Sequence, residues 1–197
     1  MREALISLPA TGAILLFSAC GGGGGGGSSL EAYASQLAAF GSDPTLASRT
    51  PDATVNALNA SATYNGVVNI GTDAASNPAG AAAYYGGLSV TVDFTNASAT
   101  DSLSGTAGNF VQYFSEIASP KTGGAVSGSI SLVGNLTGSN ESGIGDGLNG
   151  TAAGTIDGIN VSYTFDGSID GLAGNGMSLF FSGANADSSG GVGLAVD

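Results

Sequence analysis

The chain has no histidine, no tryptophan and a single cysteine, and lysine and arginine together number three among 197 residues. Each shortage removes a class of function. Without imidazole there is no general base for a histidine-activated serine or cysteine hydrolase. Without histidine, and with one thiol, a zinc site lacks its usual ligands. No glycine-rich stretch has the lysine or the strand-to-helix setting of a phosphate-binding loop. A net charge of −12 with so few basic side chains removes nucleic acid as a partner, because phosphate contacts need lysine and arginine. Charged residues make up only 9% of the chain. The polar surface must therefore be built largely from Ser, Thr and Asn, and the acidic excess serves solubility first.

What is present begins with the place of the one cysteine. Cys20 follows an apolar run, Leu5 to Phe17, and the small residues Ser18 and Ala19, and seven glycines come after it. A basic Arg2, an apolar segment shorter than the ~20 residues needed to span a bilayer, and small residues before a cysteine form a bacterial lipoprotein signal, residues 1–19. The expected chemistry is diacylglycerol attachment to the Cys20 thiol, cleavage before Cys20 and acylation of the new amino group. Several acyl chains hold a protein far more firmly than one, since each buried CH₂ contributes roughly 0.8 kcal/mol. Residues 20–29 then form a glycine-rich tether with a typical reach of about 15–18 Å. The mature chain of 178 residues keeps the charge of −12, with Arg49 and Lys121 its only basic residues. An anionic membrane surface repels such a chain, so attachment depends on the lipid.

After the tether the chain falls into two parts. Residues 30–60 form a helical lead-in. Leu30, Tyr33, Leu37 and Phe40 recur on one face of a 3.6-residue period, Gly41 and Pro44 close the helix, and a second short turn through Val55 and Leu58 has Asp52 or Thr54 as its cap. This lead-in is expected to pack over one end of the following domain. Residues 61–197 switch to period two. Eight strands are expected: Tyr64 to Ile70, Leu88 to Phe94, Ser102 to Ala107, Ala125 to Val133, Leu148 to Ile156, Ile159 to Ile169, Met177 to Ser182 and Gly191 to Val196. Asp146-Gly147, Asp157-Gly158, Asp170-Gly171 and Asn175-Gly176 mark connections, and Asp157-Gly158 is a two-residue hairpin. Short strands joined by tight turns, with no helical pattern between them, predict an all-β fold: a single antiparallel up-and-down eight-stranded β-barrel. Asn109 to Ile117 is either a strand extension or a loop that plugs the barrel. Alternation of a small face (Leu148, Gly150, Ala152, Gly154, Ile156) with a large one (Ile159, Val161, Tyr163, Phe165) favours a filled interior over a cavity.

Candidate sites are few. Asp166 with Asp170, or Asp146 with Asp157, are the nearest carboxylate pairs for glycosidase-type chemistry, but aspartate beside glycine is first a turn residue. No catalytic residue, metal site or cofactor is expected, and the chain reads as a non-enzyme. Met177 and the tyrosines have the chemistry of haem axial ligands, with core packing as their default role. The glycines and aspartates of Gly143 to Gly147 and Asp166 to Gly176 lack the spacing of an EF-hand or a calcium-binding nonapeptide, and read as turns. Tyr84-Tyr85, ahead of Gly86-Gly87, reads as an exposed aromatic pair on the loop before a strand, and is either a partner-binding loop or a loop that folds its rings over the barrel mouth.

Phe181-Ser182-Gly183-Ala184-Asn185-Ala186-Asp187-Ser188-Ser189-Gly190-Gly191-Val192 resembles the closing signature of the transferrin-binding protein B β-barrel family, the transferrin-binding-protein-like solute-binding lipoproteins. Ala184 stands where that signature has Pro, and Ser188 where it has Glu. Tyr64-Asn65-Gly66, and Leu88 to Phe94 leading into Ser102-Leu103-Ser104-Gly105, resemble the family's early strands. The resemblance implies a lipoprotein anchored in the outer membrane and facing the surface or the periplasm, a β-barrel binding protein for iron, haem or host-protein capture through loops at a barrel end. The other reading is a structural or interaction lipoprotein of the envelope whose packed barrel takes no small molecule.

Overall fold

A computed structural model describes residues 30–72, 81–96, 101–115, 124–137, 147–183 and 189–196. Cys20, the signal segment and the tether lie outside them. Eight strands, β1 (Ser61–Thr72), β2 (Ala82–Asp93), β3 (Leu103–Ser115), β4 (Ala125–Thr137), β5 (Gly147–Ile156), β6 (Ile159–Asp170), β7 (Gly176–Ser182) and β8 (Ser189–Val196), follow helices α1 (Leu30–Ser42) and α2 (Asp52–Val55). Each strand pairs antiparallel with its neighbour in sequence, and β8 returns to β1, so the sheet closes in up-and-down order. Closure removes the free sheet edges that would otherwise template pairing with another chain.

All eight predicted strands are present. The largest differences lie in β2 and β3, where glycines hid strand from a reading of alternation. β2 begins at Ala82 rather than Leu88 and runs straight through Gly86-Gly87. β3 continues through Asn109 to Ser115, so the strand-extension reading of that piece is the right one as far as Ser115. A register shift between Gly108 and Phe110 marks a bulge, with Asn109 at φ 54°. Asparagine tolerates this left-handed conformation better than most residues.

Period two sorts the side chains. Tyr64, Val68 and Ile70 of β1, Tyr84, Leu88, Val90 and Val92 of β2, and Tyr163, Phe165 and Ile169 of β6 belong to one buried apolar cluster that draws on β1 to β7, with Ala195 of β8 packed against it. The interior is thus filled by side chains. Small residues make room for the large ones: a Cβ at Gly86 would sit 2.5 Å from the Phe110 ring. We expect Gly86→Ala to lose about 1–3 kcal/mol by overpacking. Combined with Phe110→Leu, it is expected to lose less than the two single changes together, and strictly additive urea midpoints would show that the ring is not the obstacle.

The chain before β1 does two jobs rather than one. α1 lies on the outer wall, where Tyr33 is buried against outward-facing Val67 and Val111, and its hydroxyl donates to the Asn109 carbonyl at 2.9 Å. Leu37 and Phe40 stay half-exposed, so the predicted four-residue face buries chiefly Tyr33. The stretch from Asp43 to Ala60, not α1, covers a barrel end. Thr50 donates through its amide to the Ile169 carbonyl at 2.9 Å and through its hydroxyl to the Gly171 carbonyl at 2.6 Å, and Val55 enters the core. Pro51 takes the N-cap position of α2 with no side-chain cap bond, so neither Asp52 nor Thr54 serves as cap. We call this the strap end; the opposite, hairpin end holds the Asp157-Gly158 turn, whose positive φ values of 51° and 80° suit a two-residue hairpin.

Candidate functional site

Period two also decides where the paired tyrosines go. The partner-binding loop expected at Tyr84 and Tyr85 is a strand instead, and adjacent residues of a strand face opposite ways. Tyr84 points inward and is 1% exposed. Burial pushes its phenol up, as does the Asp157 carboxylate, while hydrogen bonds with Gln112 and Thr72 act against the rise. Tyr85 points outward and stacks on Tyr113 of β3, with ring centroids 4.4 Å apart and planes at 23°. The Tyr113 hydroxyl donates to Asn69 Oδ1 at 3.0 Å. Burial also raises the Tyr113 phenol, and the Asn69 bond partly offsets it. The outer wall near the hairpin end therefore carries a half-buried aromatic platform across β1, β2 and β3, next to the cluster under α1. Asn69 and Tyr113 were the residues that sequence reasoning missed. Carrying the alternation of β2 back through Gly86-Gly87 would have separated Tyr84 from Tyr85.

Elsewhere the described outer wall is polar and nearly uncharged. Ser89 and Thr91 of β2, with Ser104 and Thr106 of β3, line a shallow depression of about 300 Å³. Ser129, Ser131, Thr151, Thr155, Ser162 and Thr164 continue the same chemistry as exposed residues on β4, β5 and β6. A barrel that crosses a membrane with its strands needs an apolar outer band about 25 Å tall; here the apolar face points inward. Among the described strand residues, the large apolar side chains exposed on the outer wall are Val133, Phe180 and, beside the platform on β3, Phe114.

The remaining candidates resolve into turns and core. Asp166 and Asp170 are four residues apart on β6, a span of about 13 Å, wider than the ~5–9.5 Å of glycosidase carboxylates. Asp166 is exposed, whereas Asp170 is buried and accepts from the Ser168 hydroxyl at 2.8 Å. Asp157 lies in the hairpin at the far end of β5 from Gly147, and Asp146 lies outside the described residues. Met177 is fully buried in the core, and the Tyr64 hydroxyl donates to the Gly174 carbonyl at 2.8 Å. Of the segment read against calcium, Asp166 to Gly176 is strand end and turn; Gly143 to Asp146 lie outside the described residues. Among the described residues, no group of three or more His, Cys, Asp or Glu gathers as a metal site.

The closing signature is described only at its ends. Phe181 is buried on β7, Gly190 to Val192 sit on β8, and a Cβ at Gly191 would come 3.0 Å from Leu88. Ala184 to Ser188 lie outside the described residues.

A scan against family models finds no match, and a search of curated proteins finds none. Among solved structures, isotype 1 transferrin binding protein B from serogroup B Neisseria meningitidis is similar in fold, with a TM-score of 0.50 at 16% identity. The likeness covers 76% of this chain and 27% of that one, so this chain spans about a quarter of that protein's length. At that identity the similarity is one of barrel fold.

Proposed function

We propose that this chain is a lipid-anchored envelope protein that binds a protein partner on the outside of its barrel. The observation that carries this reading is the packed interior. With Tyr64, Tyr84, Phe110, Tyr163 and Phe165 all buried in one cluster, recognition falls to the walls and the connections at the barrel ends. The fold likeness to a protein named for binding transferrin supports a protein as that partner, and iron or host-protein capture as the setting. Haem fits less well, because Met177, Tyr64, Tyr84 and Tyr163, which have axial-ligand chemistry, are enclosed in the core, while the outer Tyr85 and Tyr113 stack on each other and the Tyr113 hydroxyl is held by Asn69. The packed core is equally what a structural lipoprotein without a small-molecule ligand requires, and that is the second reading.

The anchor is tested by flotation. The full chain, expressed with its signal in a Gram-negative host, is expected to incorporate labelled palmitate and to float with outer-membrane vesicles, and Cys20→Ser to do neither. A Cys20→Ser protein that still carries label and floats would remove the lipid reading. The two functional readings separate by immobilising the mature chain and passing host serum proteins, transferrin included, over it at low salt. Saturable binding of a defined protein supports capture; none supports the structural role.

A further inference from the structure

The way α1 leaves the barrel assigns an orientation to the protein on its membrane. The C-terminal end of α1 leads within a few residues to the strap end, where the Ser48 carbonyl accepts from the Gly171 amide at 2.8 Å and Leu46 packs beside Gly171 and Gly176. Tyr33, in the first turn of α1, is fixed to Asn109 farther along the wall. The helix of 13 residues, about 20 Å long, therefore starts toward the hairpin end. Its first residue, Leu30, packs on the same Tyr33, Val67 and Val111 cluster as Tyr85. The nine-residue glycine and serine tether thus enters the fold beside the aromatic platform, with a reach of only about 15–18 Å.

We propose that the barrel stands on the lipid surface by its hairpin end, with the Tyr85 and Tyr113 stack at the headgroup layer and the strap end directed away from the membrane. Two further observations agree. Tyrosine, with an apolar ring and a polar tip, is enriched at membrane interfaces, and Phe114, on the same stretch of β3, is 49% exposed. The described acidic residues are also unevenly placed. Asp43, Asp52, Asp93, Asp101, Asp166 and Asp170 lie toward the strap end with Arg49, whereas Asp157 lies at the hairpin end and Glu31 beside the tether. Facing an anionic surface with the end that carries fewer of the described acidic residues is the favourable arrangement. The consequence for recognition is that a partner meets the strap end and the hydroxyl-rich wall first.

The inference rests on the lipid anchor proposed above. Because acylation consumes Cys20, each introduced cysteine is the single free thiol of the lipidated chain. Phe114→Cys reports the hairpin end and Leu172→Cys, 74% exposed in the β6–β7 turn, the strap end. Each labelled protein is reconstituted in phosphatidylcholine vesicles containing a headgroup-linked quencher. Quenching at position 114 is expected to be several-fold greater than at position 172. Adding Tyr85→Ser and Tyr113→Ser is expected to bring position 114 down toward the value at 172, with a circular dichroism melt to confirm that the barrel remains folded. Should that pair unfold the barrel, the comparison of 114 with 172 in the otherwise unaltered chain decides alone. Flotation with equal quenching, or stronger quenching at 172, overturns the orientation and leaves the anchor standing. Protein that does not float overturns both.

Discussion

Phe165→Ala is expected to destabilise the protein by about 3–5 kcal/mol, the largest loss of any single truncation considered. Phe165 is 1% exposed and meets Phe181 edge-on, with centroids 5.9 Å apart. Its ring tip occupies the space above two glycines, Gly150 on the adjacent β5 and Gly134 on β4 beyond it: a Cβ would come within 2.5 Å of it at Gly150 and 2.9 Å at Gly134. The wall of that space is backbone held in the sheet ladder, so it has little freedom to close over the hole. The cost of a cavity grows with how little the site collapses, which places this change toward the upper part of the range. Against a typical total stability of about 5–15 kcal/mol, that is roughly a fifth of the fold or more, and about 6–20 °C in Tm for a chain of this size. Phe180→Ala is the control. The neighbouring ring is 66% exposed on the outer wall, and its loss is expected to stay within about 0.5 kcal/mol. Urea unfolding of the two variants, read at constant m-value, checks the pair. Equal losses would mean that inward and outward faces are wrongly assigned.

The second large effect is a loss of stability in alkali. Burial pushes the Tyr64 phenol up to about 12, with the Asp170 carboxylate as a second cause. An unfolded tyrosine ionises near 10. Between these values the unfolded chain releases a proton that the folded chain retains, so the unfolded state binds fewer protons and stability falls as pH rises. The contribution is fully present below pH 10 and is lost by about pH 12, at roughly 1.4 kcal/mol per pH unit and at most about 2–3 kcal/mol in total. Tyr84 and Tyr113 are shifted in the same direction by burial and add to the trend. With a single lysine in the chain, the background in that window comes chiefly from the other tyrosines. Tyr64→Phe keeps the ring but leaves the buried Gly174 carbonyl without its donor, costing about 1–3 kcal/mol at neutral pH. In return it is expected to flatten the decline between pH 10 and 12. Urea midpoints at pH 8, 10, 11 and 12 for both proteins give the two slopes; parallel slopes would assign the alkaline loss to other groups.

How much of this was legible in the residues follows from how local each signal is. Where alternation ran unbroken, as from Leu88 to Asp93 or from Ile159 to Phe165, the faces of the strand could be read directly, because side-chain direction in a strand has period two whatever surrounds it. The Asp157-Gly158 hairpin was legible for a similar reason: two residues in the left-handed region make a turn by their own steric preferences. Gly86-Gly87 and Asn109 misled or left the reading open because a glycine pair and a bulge residue look like breaks in sequence. Their strand conformation comes from pairing with neighbours: Gly87 with Val67, Gly86 with Val68, and both β2 and β3 with strands on either side. A packing glycine and a turn glycine are the same residue; what distinguishes Gly86 is the Phe110 ring above it.

By itself, then, the sequence determined the all-β class, the number and order of the strands and the exclusion of imidazole, zinc and nucleic-acid chemistry, because composition and period two depend on no distant contact; the filled interior, which it favoured, was decided by the packing of the closed barrel. Only the tertiary structure decided that Tyr84 belongs to the core and Tyr85 to an outer platform with Tyr113 and Asn69, that α1 lies along the wall, and that the stretch from Asp43 to Ala60 covers the strap end. Those depend on which residues closure of the sheet brings together across 28 to 121 positions of chain, as between Tyr85 and Tyr113 or Thr50 and Gly171. No local preference encodes a contact at that separation; it is selected by the burial that the closed barrel makes possible.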